Sequence, residues 1–253
     1  MKLFNSDCLE VMRDMIKNGA EVDCIITDPP YKTTKRGISK NTTTGGLVRS
    51  ELGKQGKIFM NNDIEIQSWL PLCYKLLKNT GHFYIMTNHK NLHHYLNIAK
   101  ANNLHFIKSL IWNKSNKIMG QSYMSQFEYI LFFRKGAHKK INKCGTPDIL
   151  EVSNKKTKNE QGENIHDTEK PVELMKILVG NSTSEKEIVF DPFMGVGGLG
   201  VACKELNRNF VGIEINPEYY KIAVSRNEDQ SPIYKEEIKG QSNIFEMIGD
   251  DKQ

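Results

Sequence analysis

Short apolar runs rich in β-branched residues alternate with amphipathic segments along most of this 253-residue chain. The run Val22–Thr27 is an example of the first kind, because two prolines follow it closely, as expected of a buried strand that stops abruptly. Such alternation favours an α/β fold in which helices cover both faces of a mostly parallel, twisted sheet. The predicted strands are residues 3–4, 22–27, 82–87, 106–112, 129–133, 188–190 and 210–214, and the predicted helices are residues 8–17, 66–77, 92–101 and 170–179, one ending near residue 206 and one starting at residue 217.

The composition is that of an ordinary globular protein, with 38% hydrophobic and 26% charged residues. The formal net charge of +5 is compatible with a nucleic-acid partner but is weak evidence for one by itself. A membrane span needs about 18 consecutive apolar residues, and neither such a stretch nor the apolar core of a signal peptide is present. The five cysteines form no C-x-x-C pair, which disfavours a disulfide framework or a structural zinc site. We therefore expect a cytoplasmic protein, and the Asn- and Lys-rich composition indicates a bacterial or phage genome.

The four residues Asp28-Pro29-Pro30-Tyr31 directly follow the predicted strand Val22–Thr27. Proline cannot donate to a sheet and pushes the residue before it into an extended conformation, so we expect Asp28 at a strand end, in a stiff turn. A carboxylate, fixed carbonyls and an aromatic ring in one rigid corner suit a planar amine such as a nucleobase. The alternative is a strand-ending turn with a solvated aspartate.

A second candidate site is the glycine-rich segment 190–200, which lies between a predicted strand and a helix. Glycines there let the backbone approach a ligand closely, and Glu214 ends the next strand at the distance, about 20 residues, where nucleotide-binding folds place the acid that binds ribose hydroxyls. Asp191 disfavours a diphosphate and suits a cationic ligand such as S-adenosylmethionine. The alternative is a glycine turn that serves helix–strand packing.

Two stretches are basic and irregular, residues 32–57 and residues 134–165. Long irregular segments inside a compact domain are usually functional or disordered. We predict a mobile basic loop at 32–57 and a target-recognition insert at 134–165, both contacting phosphates. The alternative is that they are solvated charge runs.

Together, residues 28–31 and 191–197 resemble the motifs of S-adenosylmethionine-dependent DNA amino-methyltransferases, which act on adenine N6 or cytosine N4. The catalytic motif precedes the cofactor motif, with the recognition insert between them, and this order is similar to the permuted β group. The resemblance covers about residues 2–227. It implies a Rossmann-like methyltransferase fold with a circularly permuted motif order, in a single catalytic domain at 1–253.

The resemblance also implies site residues. Ser6-Asp7-Cys8-Leu9 resembles the family's contact to the cofactor adenine, and residues 166–171 resemble the segment H-P-T-x-K-P, which lies near the cofactor's methionine carboxylate. The family commonly has Ser-Gly-Thr-Thr where this chain has Val-Gly-Gly-Leu at 196–199, and Asp167 replaces a usual proline. The implied catalytic residues are Asp28, Pro29, Pro30 and Tyr31. The implied cofactor-binding residues are Asp7, Cys8, Asp28, Thr168, Lys170, Asp191, Phe193, Met194, Gly195, Gly197, Glu214 and Ile215.

The expected reaction is methyl transfer from S-adenosylmethionine to adenine N6 in double-stranded DNA, with the base flipped out of the duplex and no metal required. Asp28 favours adenine, because cytosine-N4 members of the family more often have serine there. Cytosine N4, adenine N6 of RNA and nucleic-acid binding without catalysis are the alternatives. The resemblance leaves open whether the chain forms a homodimer and whether a cognate restriction endonuclease accompanies it.

Overall fold

The computed structural model describes residues 1–30, 64–118, 123–154 and 170–227. The chain divides into two compact units, one formed by Met1–Pro29 with Ile66–Gln253 and the other by Pro30–Glu65. All strands and helices of the described residues belong to the first unit. A single domain over 1–253 stays a prediction, and the predicted basic loop at 32–57 lies outside the described residues.

Eight strands and six helices occupy the described residues, and every predicted helix is confirmed near its expected bounds. None of these helices is long and apolar enough to span a membrane. The strands are β1 (Lys2–Asn5), β2 (Val22–Thr27), β3 (Leu77–Thr87), β4 (Leu104–Ile118), β5 (Ser125–Lys135), β6 (Ile149–Glu151), β7 (Ile188–Asp191) and β8 (Asn209–Glu214). The helices are α1 (Cys8–Lys17), α2 (Ile66–Leu76), α3 (Leu92–Ala101), α4 (Val172–Ser182), α5 (Gly198–Glu205) and α6 (Pro217–Asn227).

The strands form one sheet in the order β1-β8-β7-β2-β3-β5-β4-β6. The first five strands of this order are parallel, β5 is antiparallel to β3 and β4, and β6 is parallel to β4. Cys24, Ile25 and Ile26 in β2 are all fully buried. A strand covered on both faces has a continuous apolar sequence, and this is why β2 was predictable.

Helices cover both faces of the sheet, as predicted. On one face, α4, α5 and α6 pack in a cluster that includes Cys24 and Ile26. On the other face, the ring of Trp69 in α2 lies 6.5 Å from the ring of Phe83 in β3, centroid to centroid. The two layers bury β2 within the first unit.

Strands β2 and β7 are neighbours although they are far apart in the chain, with Cys24 beside Val189 and Ile25 beside Phe190. The chain continues from β2 to β3 on one side and from β7 to β8 on the other. The segments that follow β2 and β7 therefore meet at one edge of the sheet. This is the predicted permuted arrangement, in which the Asp28 segment comes first in the chain.

Four strands differ from the prediction. Strand β3 begins at Leu77, five residues before the predicted 82–87, where the polar residues 78–80 interrupt the apolar pattern. Strands β4 and β5 extend beyond the predicted 106–112 and 129–133. The prediction stopped short because the ends of both strands carry partly exposed polar residues such as Asn113, which interrupt the apolar pattern. Strand β6 lies inside the segment 134–165 that we expected to be irregular. Its three residues include one buried side chain, Leu150, which is too weak a pattern to predict a strand.

Gly197 shows how closely the glycine turn packs on α6. Its φ is 76°, and a Cβ at this position would lie 2.9 Å from the Cβ of Ala223. Gly19 has a similar φ of 72°, and a Cβ there meets nothing within 4 Å. We expect Gly19→Ala to lower the free energy of unfolding by about 1–2 kcal/mol and Gly197→Ala to lower it by about 1–3 kcal/mol more. Urea denaturation measures both losses, and equal losses would contradict the packing of α6 on the turn.

Candidate active site

The site lies at the carboxyl ends of β2 and β7, from which the chain continues toward opposite edges of the sheet. In open α/β sheets, ligands bind outside the carboxyl ends of the strands at such a point. Asp28 follows β2, Asp191 ends β7 and Glu214 ends β8. Three of the predicted site carboxylates are thus brought to one edge of the sheet.

A buried hydrogen bond joins the two central strands at this edge. The hydroxyl of Thr27 donates to Asp191 Oδ1 over 2.7 Å, and the backbone N–H of Phe193 donates to the same oxygen over 3.0 Å. Both Thr27 and Asp191 are buried. The bond therefore fixes the start of the Asp28 turn against the start of the glycine turn.

Burial raises the pKa of Asp191 to about 7. The two hydrogen bonds lower this pKa, while the negative charges of Asp28 and Glu214 raise it further. Burial likewise raises the pKa of Glu214, although backbone N–H donors oppose the shift. Neighbouring carboxylates in a poorly solvated place favour a cation between them. Among the described residues, no group of three or more His, Cys, Asp or Glu side chains could hold a metal ion.

The glycine turn presents backbone to open space. Gly195 has a φ of 55°, and a Cβ at this position would meet nothing within 4 Å. The N–H of Gly195 donates to Glu214 Oε2 over 3.0 Å, and the N–H of Asn216 donates to Glu214 Oε1 over 2.8 Å. Each oxygen of Glu214 keeps acceptor capacity for a ligand hydroxyl. The turn and Glu214 together suit a nucleoside that carries a cationic group.

The predicted adenine-contacting segment lies beside Glu214. Asn5 at the end of β1 pairs with Glu214, and Asp7 caps α1 by accepting from the N–H of Leu9 over 2.7 Å. Burial raises the pKa of the Cys8 thiol to about 12, so Cys8 is not a nucleophile near neutral pH. Ile215, directly after β8, is 46% exposed.

Lys170, just before α4, reaches the carboxylate of Asp28. Its Nζ donates to Asp28 Oδ2 and lies 3.5 Å from Glu128 Oε2. Burial lowers the pKa of Lys170, but Asp28 and Glu128 more than offset this and hold it above its usual value. The ammonium is therefore charged near neutral pH. Its expected contact with a cofactor carboxylate stays a prediction.

Aromatic side chains line the α1–α3 side of this edge. The rings of Phe193 and Trp69 meet edge to face at 5.3 Å, and the rings of Trp69 and Tyr95 are 6.2 Å apart. Trp69 and Tyr95 are buried. Met194 is also buried, and its N–H donates to the carbonyl of Ile213 over 2.9 Å. These contacts hold the glycine turn rigidly on α2 and β8.

The structure brings together most of the predicted site residues and adds three. Tyr31 and Thr168 lie outside the described residues, so their roles stay predictions. Sequence reasoning missed Thr27 as a partner of Asp191. The segments 111–114 and 127–131, which contain Lys114 and Glu128, resemble those that flank the family's target-base pocket, but the resemblance gave neither side chain a role of its own. A carboxylate inside the otherwise apolar segment 127–133 was the available signal for Glu128.

The first part of the predicted recognition insert is held on the protein core. Asn142 donates from its side-chain amide to the carbonyls of Gly180 and Thr183, over 3.0 and 2.9 Å. Residues 155–165 lie outside the described residues. The recognition role of 134–165 stays a prediction.

Comparison with known families identifies relatives of this chain. The family model N6_N4_Mtase, described as DNA methylase, matches residues 22–225. The match begins at β2 and ends within α6, so it spans both carboxylate-bearing turns.

Three curated type II methyltransferases are similar to the chain. M2.MboI of Moraxella bovis is 27% identical over 94% of this chain and 91% of its own length. M2.DpnII of Streptococcus pneumoniae is 29% identical over 91% of each protein. M.HinfI of Haemophilus influenzae is 26% identical over 97% of this chain and 71% of its own length.

Two solved structures share the fold. The M1.HpyAVI–SAM complex has a TM-score of 0.68 and 25% identity, covering 89% of this chain and 98% of that one. The PvuII DNA methyltransferase, described as cytosine-N4-specific, has a TM-score of 0.68 and 15% identity, covering 94% of this chain and 89% of that one. The predicted Rossmann-like methyltransferase fold is confirmed.

The raised pKa of Asp191 predicts a pH-dependent stability. The folded protein keeps a proton on Asp191 up to about pH 7, whereas the unfolded chain releases it near pH 4. The contribution of this proton is therefore full below about pH 4 and is lost as the pH rises through about 7. We expect the free energy of unfolding of Asp191→Asn, relative to the parent, to rise by about 2–4 kcal/mol between pH 4 and pH 8.

Chemical denaturation at several pH values measures this difference. Asp14→Asn, which removes an exposed carboxylate from α1, is the control for loss of a charge. A difference for Asp191→Asn that stays constant with pH would show that Asp191 does not hold this proton.

Proposed function

The chain belongs to the N6_N4_Mtase family of DNA methylases, and on that premise we propose that it transfers a methyl group from S-adenosylmethionine to the N6 amine of adenine in double-stranded DNA. The observation that carries the proposal is the hydrogen bond from Thr27 to Asp191, which ties the Asp28 turn to the glycine turn. The Asp28 turn, which would receive the target amine, thereby lies beside the glycine turn and Asp191, which would hold the cationic cofactor. The structurally similar M1.HpyAVI was solved as a complex with SAM, and this supports the choice of methyl donor.

The residues at the ends of β7, β8 and β1 fit this donor. Asp191 suits its ammonium group and Glu214 suits its ribose hydroxyls, because a buried and a half-buried carboxylate acceptor lie beside open backbone at Gly195. Asp7 and Cys8, beside Glu214, would contact the adenine, and Phe193, Met194, Gly197 and Ile215 complete the enclosure. Thr168 and Lys170 would lie near the methionine carboxylate, as the family resemblance implies.

When bound, S-adenosylmethionine supplies a methyl group on a positively charged sulfur, and the carbon–sulfur bond breaks with its electron pair going to sulfur. Adenine N6 is a poor nucleophile because its lone pair is delocalised into the ring. Asp28 therefore accepts one N–H hydrogen bond and the carbonyl of Pro29 accepts the other, which stabilises the positive charge that develops on nitrogen. The released proton passes to Asp28. Pro30 keeps the turn stiff, and Tyr31 stacks on the base.

A target amine inside a duplex is out of reach of this site, so the base must flip out of the helix. The basic segments 32–57 and 134–165 would bind the phosphates and read the sequence. The curated relatives are type II methyltransferases, which supports a role in restriction–modification.

The direct test is the identity of the product. The purified chain is incubated with S-adenosylmethionine labelled in the methyl group and either duplex DNA or structured RNA, and the product is digested to nucleosides. We expect labelled N6-methyl-2′-deoxyadenosine from duplex DNA and no labelled nucleoside from RNA. N4-methylcytosine alone would overturn the choice of adenine, and label in RNA alone would overturn the choice of DNA.

Loss of the carboxylate at position 28 should affect catalysis far more than cofactor binding. We expect Asp28→Asn to lower kcat by about 10²- to 10⁴-fold, because the side chain keeps its shape but accepts the amine hydrogen and proton poorly. The affinity for S-adenosylmethionine, measured by calorimetry, should stay within a few-fold of the parent. Equal rates of methyl transfer for variant and parent would remove Asp28 from the mechanism.

A further inference from the structure

Four charged side chains form an alternating row that ends at Asp28. Lys114 pairs with Glu128 Oε1, Lys170 lies 3.5 Å from Glu128 Oε2, and Lys170 donates to Asp28 Oδ2. All four side chains are largely buried, with exposures of 12% for Lys114, 22% for Glu128, 10% for Lys170 and 25% for Asp28. Lys170 therefore stands between two carboxylates, bound to one and close to the other.

The sheet holds Glu128 firmly in place. Glu128 on β5 pairs in register with Trp112 on β4, whose indole N–H donates to the carbonyl of Val152 over 2.8 Å. Lys114 Nζ lies 4.9 Å from the centre of the Trp112 ring while it pairs with Glu128. The position of the Glu128 carboxylate is thus set by two strands and a cation.

Glu128 Oε2 is buried and accepts no hydrogen bond among the residues that the structure describes. The ion pair with Lys170, at 3.5 Å, is longer than a normal hydrogen bond between an ammonium and a carboxylate. A buried acceptor without a hydrogen bond is unfavourable in a native structure and requires an explanation. A shift of the Lys170 ammonium by about 1 Å would satisfy it, since hydrogen bonds of this type are about 2.7–2.9 Å long.

We propose that Glu128 is a positioning residue that takes the Lys170 ammonium from Asp28 when the target amine arrives. This inference rests on the proposed function, because it assigns an amine to Asp28. An ammonium on Asp28 competes for its negative charge and repels the positive charge that develops on the amine, so movement of Lys170 to Glu128 favours the reaction. Glu128 receives Lys170 inside the site, and no charge has to move into solvent.

The charges of the row are suited to this transfer. Burial raises the pKa of Glu128, but Lys170 and Lys114 more than offset it and hold the pKa below its usual value. Glu128 is therefore ionised near neutral pH. The net charge of the two lysines and two carboxylates is zero whether Lys170 lies on Asp28 or on Glu128. The transfer therefore requires only a short movement of one ammonium group.

Glu128→Gln tests the transfer, because glutamine keeps the shape and loses the charge. We expect kcat on duplex DNA to fall by about 10- to 100-fold, since Lys170 stays on Asp28, with the Kd for S-adenosylmethionine within a few-fold of the parent. Adding Lys170→Met to this variant should recover part of the lost kcat at saturating cofactor, because no ammonium at position 170 then competes for Asp28 Oδ2. A merely structural role of Glu128 predicts no such recovery.

Glu21→Gln, the same substitution at an exposed residue just before β2, is the control and should retain parental kcat. If Glu128→Gln does not fold, Glu128→Asp is the alternative variant. Its carboxylate keeps the charge but lies one methylene farther from Lys170, so we expect an intermediate kcat. A parental kcat for Glu128→Gln, or a double variant no faster than the single one, overturns the transfer and leaves the proposed function standing. No methyl transfer to DNA by the parent overturns both.

Discussion

One buried hydrogen bond determines how the two halves of the site meet. The hydroxyl of Thr27 at the end of β2 donates to Asp191 at the end of β7, across 2.7 Å and 164 positions of sequence. The two strands are held together by apolar packing on both faces, and this bond sets their carboxyl ends in register. The turn that carries Asp28 and the turn that carries Gly195 consequently face the same space. The predicted catalytic turn precedes the predicted cofactor turn in the chain, and the two can still meet because the sheet makes β2 and β7 neighbours.

Electrostatics then separates two regions of this space. At β7 and β8, burial raises the pKa values of Asp191 and Glu214. Each carboxylate accepts hydrogen bonds from backbone N–H groups and pairs with no lysine of the described part of the chain. At β2 and β5, the carboxylates of Asp28 and Glu128 are paired with lysines. The first region therefore suits a cationic ligand that stays bound, and the second suits charges that are exchanged as an amine enters. The same residue type thus has a different electrostatic environment at the two places, because its neighbours differ.

The sequence was sufficient to predict the parts of the site that follow fully buried strands. Asp28, Asp191 and Glu214 each end an apolar run, and parallel strands bring such ends to one edge. Contacts that depend on the sheet register were not predictable, since Thr27 meets Asp191 and Glu128 meets Lys170 only after distant segments pack. Strand β6 was missed because one buried residue in three gives no pattern. Lys170 was placed in the site by resemblance, but its contact with Asp28 became visible only with α4 packed on the sheet.

A crystal structure with sinefungin, an unreactive analogue of S-adenosylmethionine, tests the central claim most directly. This claim is that a methyl donor held at Asp191 and Glu214 faces Asp28. We predict the amino-acid ammonium within hydrogen-bonding distance of Asp191, the ribose hydroxyls on Glu214, and the amine that replaces the methyl group directed toward Asp28. An analogue bound with its ribose away from Glu214, or with that amine directed away from Asp28, would contradict the claim.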